Sequence, residues 1–204
     1  MNKTLALSLV LIAASFAFSY YAFGLLPDEI ATHWNLAGEA DGFSGKEYVF
    51  LTPILSLIVL GLLWFLPSID PLKKNIQSFR NYYDLLVLFL TAFFLYLNIA
   101  TTGVNLGWFT GLTNYMTIGI GALFVFLGWF LPKTKRSWFI GIRTPWTLSS
   151  DVVWKKTQVV GGYVYASIGV LMILLPSYLM TWIILAIVMS IGLFAYSYLI
   201  SRKN

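Results

Sequence analysis

Residues 4–26 read TLALSLVLIAASFAFSYYAFGLL, twenty-three positions without a charge. As a helix rising about 1.5 Å per residue, such a run covers the roughly 30 Å of bilayer hydrocarbon. Lys3 precedes it, and Ser15-Phe16-Ala17 inside it has the small-residue character of a signal-peptide cleavage site. The apolar run continues well past that point, so a retained membrane span is expected.

The rest of the chain repeats the pattern. Apolar stretches at 49–66, 85–106, 116–131, 159–175 and 178–200 are each long enough for a span, the last two forming a tight hairpin at Pro176. Pro53 falls in the first turn of its helix, where a missing N–H costs little. Of the 204 residues, 59% are hydrophobic and 10% charged, with mean hydropathy +0.80. So few charges cannot clothe a water-soluble domain of this size. The absence of cysteine excludes disulfides and thiolate metal sites. The net charge of +5 is dispersed between apolar runs and forms no basic face, which argues against direct nucleic-acid binding.

That dispersal sets an expected orientation. Twelve of the thirteen Lys and Arg fall at the two termini and in the second and fourth loops; the first, third and fifth loops hold only Lys46. Lys and Arg gather on the cytoplasmic side. The expected fold is therefore an all-α integral membrane protein, a bundle of about six transmembrane helices with both termini cytoplasmic. It would be one polytopic unit divisible into 1–66 (two spans with an acidic outer loop), 67–131 (spans three and four) and 132–204 (basic inner loop and helical hairpin). Gly107-xxx-Gly111 and Gly162-xxx-Ala166 are candidate close helix approaches. No ionisable residue lies deep in a span, unlike the usual ion-coupled transporter.

Two loops carry the candidate chemistry. The first, 27–48, holds five of the eight acidic residues and the single histidine, with Gly38 and Gly42 as turn formers. Asp28, Glu29, His33, Trp34 and Asp41 are its candidate binding residues. His33 beside carboxylates is the sole candidate metal ligand, against an exposed or hydrogen-bonded histidine. The fourth loop, 132–157, contains Gly141-Ile142-Arg143-Thr144-Pro145-Trp146-Thr147. Pro145 holds Thr144 extended, so 141–146 is expected to be a rigid turn. Ser149 or Ser150 would cap a helix starting near Asp151. Arg143 suits an anionic group or a stack on tryptophan, and contact with anionic lipid explains basic and aromatic content together. Gly141, Arg143, Thr144, Pro145, Trp146 and Trp154 are the candidate binding residues here.

The run from Leu26 to Asn35 (LPDEIATHWN) followed by 38–42 (GEADG) resembles the outer-loop signature of a bacterial membrane domain of unknown function. Residues 140–148 (IGIRTPWTL) with 153–157 (VWKKT) resemble the signature of the SdpI-type family, named for immunity to a sporulation-delay toxin. The resemblance implies a multi-pass protein of the bacterial cytoplasmic membrane, without cofactor or catalysis, that gives resistance to a secreted peptide toxin. It also implies a cytosolic partner, a transcriptional repressor held at the membrane when toxin is present. Many family members carry histidine where this chain has Gln158. Two alternatives stand beside this reading. One is a metal-dependent membrane hydrolase using His33 and the loop carboxylates, though no His-Glu-x-x-His pattern exists. The other is a small transporter using polar Asn98, Asn105 and Asn114.

Overall fold

The computed structural model describes residues 3–35 and 38–203. Eight helices occur in chain order: α1 (Lys3–Phe23), α2 (Leu51–Ile69), α3 (Lys73–Ser78), α4 (Arg80–Asn105), α5 (Thr113–Phe130), α6 (Pro145–Ser149), α7 (Asp151–Leu174) and α8 (Leu179–Ser201). Six of them, all but α3 and α6, are long and apolar enough to cross a membrane. The six-span reading therefore holds. The fold forms two compact units, Met1–Leu63 with Val87–Gly119, and Trp64–Leu86 with Ile120–Asn204.

The expected outer loop carries structure of its own: β1 (Glu29–Trp34) pairs antiparallel with β2 (Ala40–Gly45) as a β-hairpin. Sequence periodicity hides it, because the register shifts on both sides of His33 and breaks the two-residue alternation of a strand. Gly38, at φ +82°, supplies the expected turn. Gly42 instead sits within β2 opposite His33, where a Cβ would come within 2.8 Å of the His33 Cβ.

Beneath the hairpin, α1 presents a buried row of Ser8, Ile12, Ser15, Ser19 and Ala22, positions three or four apart and so on one helical face. Asn98 of α4 answers it. Its Nδ2 donates to the Ser15 carbonyl (3.2 Å), Ser15 Oγ (2.8 Å) and Ser19 Oγ (2.9 Å), while its Oδ1 accepts from Thr102 (3.3 Å). In hydrocarbon an unpaired amide has no water to turn to. The polar end of this span is thus an internal polar network, and it binds α1 to α4.

The second unit is built on glycine contacts. A Cβ at Gly128 would lie 2.6 Å from the Gly162 carbonyl oxygen and 2.6 Å from Ala166 Cβ; one at Gly169 would lie 2.5 Å from the Gly121 carbonyl. α5 and α7 therefore meet backbone to backbone, and Gly162-xxx-Ala166 is a true close approach. Gly107-xxx-Gly111 is not. Both glycines have positive φ (+73° and +67°) with open space around them, so they are turn residues of the α4–α5 loop. α7 and α8 form the expected hairpin, closed by Trp182 Nε1 donating to the Leu175 carbonyl at 2.9 Å. α7 joins the helix expected to start near Asp151 and the span expected from residue 159 into one element.

Candidate functional site

The hairpin face is held by short-range pairs. Lys46 Nζ donates to Asp28 Oδ1 at 2.8 Å, and the Lys46 amide donates to the Asp28 carbonyl at 3.0 Å, closing the base. The hydrogen bond from Lys46, reinforced by its charge, holds the Asp28 carboxyl below its ordinary range. His33 Nδ1 pairs with Asp41 Oδ1 across the strands. At the turn, Asn35 Oδ1 accepts from the Glu39 amide at 3.0 Å and its Nδ2 donates to Glu39 Oε2 at 3.1 Å. Asp28, Glu29 and His33 are exposed, and Trp34 is half-buried. His33 meets one carboxylate. Among the described residues no three His, Asp or Glu side chains stand together as a metal-ligand set.

Asn105, named above only among the polar residues of the transporter alternative, ties the hairpin to α4. Asn105 Oδ1 accepts from the Ala31 amide (2.7 Å) and its Nδ2 donates to the Ala31 carbonyl (3.0 Å). The carboxamide thus satisfies both backbone groups of one strand residue, as a neighbouring strand would. A cavity of about 90 Å3 lies beside it, lined by Ala31, Trp34, Tyr48, Asn98 and Thr101 among others.

In the second unit, the fourth loop is a built frame. Asp70, buried in the α2–α3 turn, accepts from the Leu72 amide (2.7 Å) with one oxygen and from the Trp138 amide (2.9 Å) with the other. Asn75 Nδ2 donates to the Arg136 carbonyl at 2.8 Å. Arg136 reaches forward, Nη1 donating to the Leu148 carbonyl at the end of α6 (2.9 Å) and Nε lying 3.0 Å from Asp151. Neither Asp70 nor Asn75 carried a sequence signal, since each acts on backbone more than sixty residues away.

Within the frame, the expected rigid turn forms. Gly141 has φ +99°, and a Cβ there would lie 2.8 Å from the Trp154 ring and 3.1 Å from Gln158 Oε1. Thr144 caps α6 through a reciprocal pair, its Oγ1 accepting from the Thr147 amide (3.1 Å) while Thr147 Oγ1 accepts from the Thr144 amide (2.8 Å). Thr144 also shares a hydrogen bond of 2.9 Å with Ser197 of α8. Pro145 occupies the first helical position, where it fits best. Ser150 caps α7 by accepting from the Val153 amide, as expected for one of the two serines.

The candidate binding residues divide sharply by exposure. Gly141, Thr144 and Trp154 are structural, with Trp154 2% exposed and its Nε1 donating to the Thr134 carbonyl at 3.3 Å. Trp146 is half-buried, its ring centroid 5.1 Å from Phe194 and 5.0 Å from Tyr198. Arg143 and Pro145 are exposed, and Arg143 Nη1 donates to the Trp138 carbonyl at 2.6 Å. The solvent-facing members of this set are therefore Arg143, Pro145 and part of Trp146.

Gln158 completes the frame. It is fully buried; Oε1 accepts from the Ile142 amide and Nε2 donates to the Ile142 carbonyl, both at 3.0 Å. This repeats the Asn105–Ala31 device. Gln158→Leu is expected to strand the Ile142 amide, at about 1–3 kcal/mol, while the Ile142 carbonyl keeps its hydrogen bond from Thr147 Oγ1 at 3.0 Å. Gln158→His supplies one ring nitrogen on that side and is expected to lose less. Thermal unfolding of the purified variants measures both.

Six membrane-length apolar helices with an ordered hairpin loop and a framed basic loop define a multi-pass protein of the bacterial cytoplasmic membrane. Its relatives are specific. Residues 133–200 match the SdpI/YfhL protein family, and residues 10–57 match a domain of unknown function, DUF1648. The chain is 26% identical over 173 residues to Immunity protein SdpI of Bacillus subtilis (strain 168), covering 81% of this chain and 81% of the relative. The SdpI-type resemblance read from 140–148 and 153–157 is thereby shown, and the frame around Gly141 and Gln158 lies inside the matched segment. No solved structure matches the chain.

Proposed function

We propose that the chain gives its host resistance to a secreted peptide toxin, by binding rather than by catalysis. The observation that carries this reading is the likeness to Immunity protein SdpI across four-fifths of both chains. Two structural features support it. The hairpin offers a solvated, ordered acidic surface around Asp28, Glu29, His33, Trp34 and Asp41, suited to attracting a cationic peptide. The fourth loop offers Arg143, Pro145 and Trp146 on a rigid support, suited to a second partner. A cytosolic repressor protein, retained at the membrane when toxin is bound, fills that role.

This reading places the hairpin outside the cell and the fourth loop in the cytoplasm, which the Lys and Arg distribution supports. The cysteine-free chain makes that testable. Ser44→Cys is expected to react with an impermeant maleimide in intact cells and Ser149→Cys only after lysis; the reverse pattern overturns the orientation. For function, the combined change Asp28→Asn, Glu29→Gln and Asp41→Asn is expected to weaken protection of toxin-challenged cells. Arg143→Ala is expected to leave toxin binding at the cell surface intact and abolish repressor retention. Wild-type behaviour of both variants would sink the binding model.

A further inference from the structure

We propose that the second loop forms a binding site for the phosphate group of an anionic phospholipid headgroup. The site is a cleft of about 270 Å3 between the end of α2, α3 and the start of α4, with Trp64, Ser68, Lys73, Gln77 and Arg80 in its lining. Its lining shares no residue with the two candidate loops, and it needs neither toxin nor repressor.

The chemistry is that of a phosphate receptor. Arg80 is pre-set: its Nε donates to Asp84 at 2.7 Å, and its guanidinium lies 5.3 Å from the Trp64 ring centroid and 5.6 Å from that of Tyr83. A guanidinium fixed by a carboxylate and stacked on aromatic rings loses little freedom on binding, and it has more donors than the one Asp84 takes. Lys73 lies exposed on the same cleft and makes no ion pair among the described residues. Gln77 adds a neutral donor. Arg80 and Lys73 thus place two cations around a space that contains no carboxylate of its own in the lining.

Position selects a lipid over a soluble anion. The cleft sits where two membrane-length helices end, at the depth of lipid headgroups. Exposed Phe65 on α2 and Leu85 on α4 lie one to two helical turns along the spans, where acyl chains run. The Lys and Arg count assigns this loop to the cytoplasmic leaflet, whose anionic lipids attract cations near the surface.

The test uses the full chain in nanodiscs of phosphatidylcholine with increasing phosphatidylglycerol, reading the thermal midpoint and the lipids retained in native mass spectrometry. Wild type is expected to show a saturable rise in midpoint with one phosphatidylglycerol retained. Lys73→Gln should weaken that response about tenfold, the value of one charge-assisted hydrogen bond, and Arg80→Lys should weaken it through loss of the stacked fork. Lys135→Gln removes the same charge from the fourth loop and should respond as wild type. Equal responses of Lys73→Gln and wild type overturn the site. An equal rise with inorganic phosphate in detergent overturns the lipid assignment in favour of a soluble phosphate.

Discussion

Gly141→Ala is expected to lower stability by about 2–5 kcal/mol. Two costs add. A non-glycine residue at strongly positive φ costs roughly 1–2 kcal/mol, and forcing a methyl into filled space costs roughly 1–3 kcal/mol more. The space is filled by the Trp154 ring at 2.8–2.9 Å and by Gln158 Oε1 at 3.1 Å. Neither can withdraw freely, since Trp154 is tied to the Thr134 carbonyl and Gln158 to Ile142. The control is Gly192→Ala on α8, where no atom lies within 4 Å of the added carbon; there the replacement is expected to be neutral or slightly stabilising. Thermal unfolding in detergent compares the two. A Gly141→Ala protein as stable as Gly192→Ala would show that the turn is not the keystone of the fourth loop.

The second large effect is expected from Asn105→Ala. Its carboxamide is the partner of both the amide and the carbonyl of Ala31, and removing it leaves two strand groups unpaired at about 1–3 kcal/mol each. The hairpin should then lift from α4 in a population raised at least about tenfold, since each tenfold corresponds to about 1.4 kcal/mol. Ile30, 5% exposed beneath the hairpin, reports this directly. An Ile30→Cys thiol is expected to be protected from maleimide with Asn105 present and to react at least about tenfold faster with Asn105→Ala. Asn105→Asp accepts from the Ala31 amide but cannot donate to its carbonyl, so it should fall between. Unchanged labelling across the three would mean that the hairpin is held by its apolar contacts of Ile30 with Ala22, Leu26 and Val49.

These two sites also mark how much the sequence reveals. The spans were legible because each is a long run without charge, and the α7 cap was legible because Ser150 acts on a neighbour three residues on; the short helix α6, capped by Thr144, was not expected within the turn. Gly162-xxx-Ala166 was legible too, whereas Gly107-xxx-Gly111 has the same spacing and does something else. Spacing alone cannot separate a helix contact from a turn; that depends on whether the helix continues. The hairpin escaped because the break in register at His33 erases its period. Asn105, Gln158, Asp70 and Asn75 escaped for another reason. Each hydrogen-bonds to backbone, and a backbone partner leaves no mark on which residue type stands there. The candidate binding set was accordingly drawn by residue type and mixes exposed Arg143 with buried Trp154.

The central claim is resistance to a secreted peptide toxin, and survival tests it most directly. Toxin-sensitive cells lacking their own immunity protein would express this chain at verified membrane levels and be challenged with a sporulation-delay-type peptide. Survival above empty-vector controls, lost with Gly141→Ala and kept with Gly192→Ala, is the predicted result. Killing equal to the vector control, with the chain folded and present in the membrane, would contradict it.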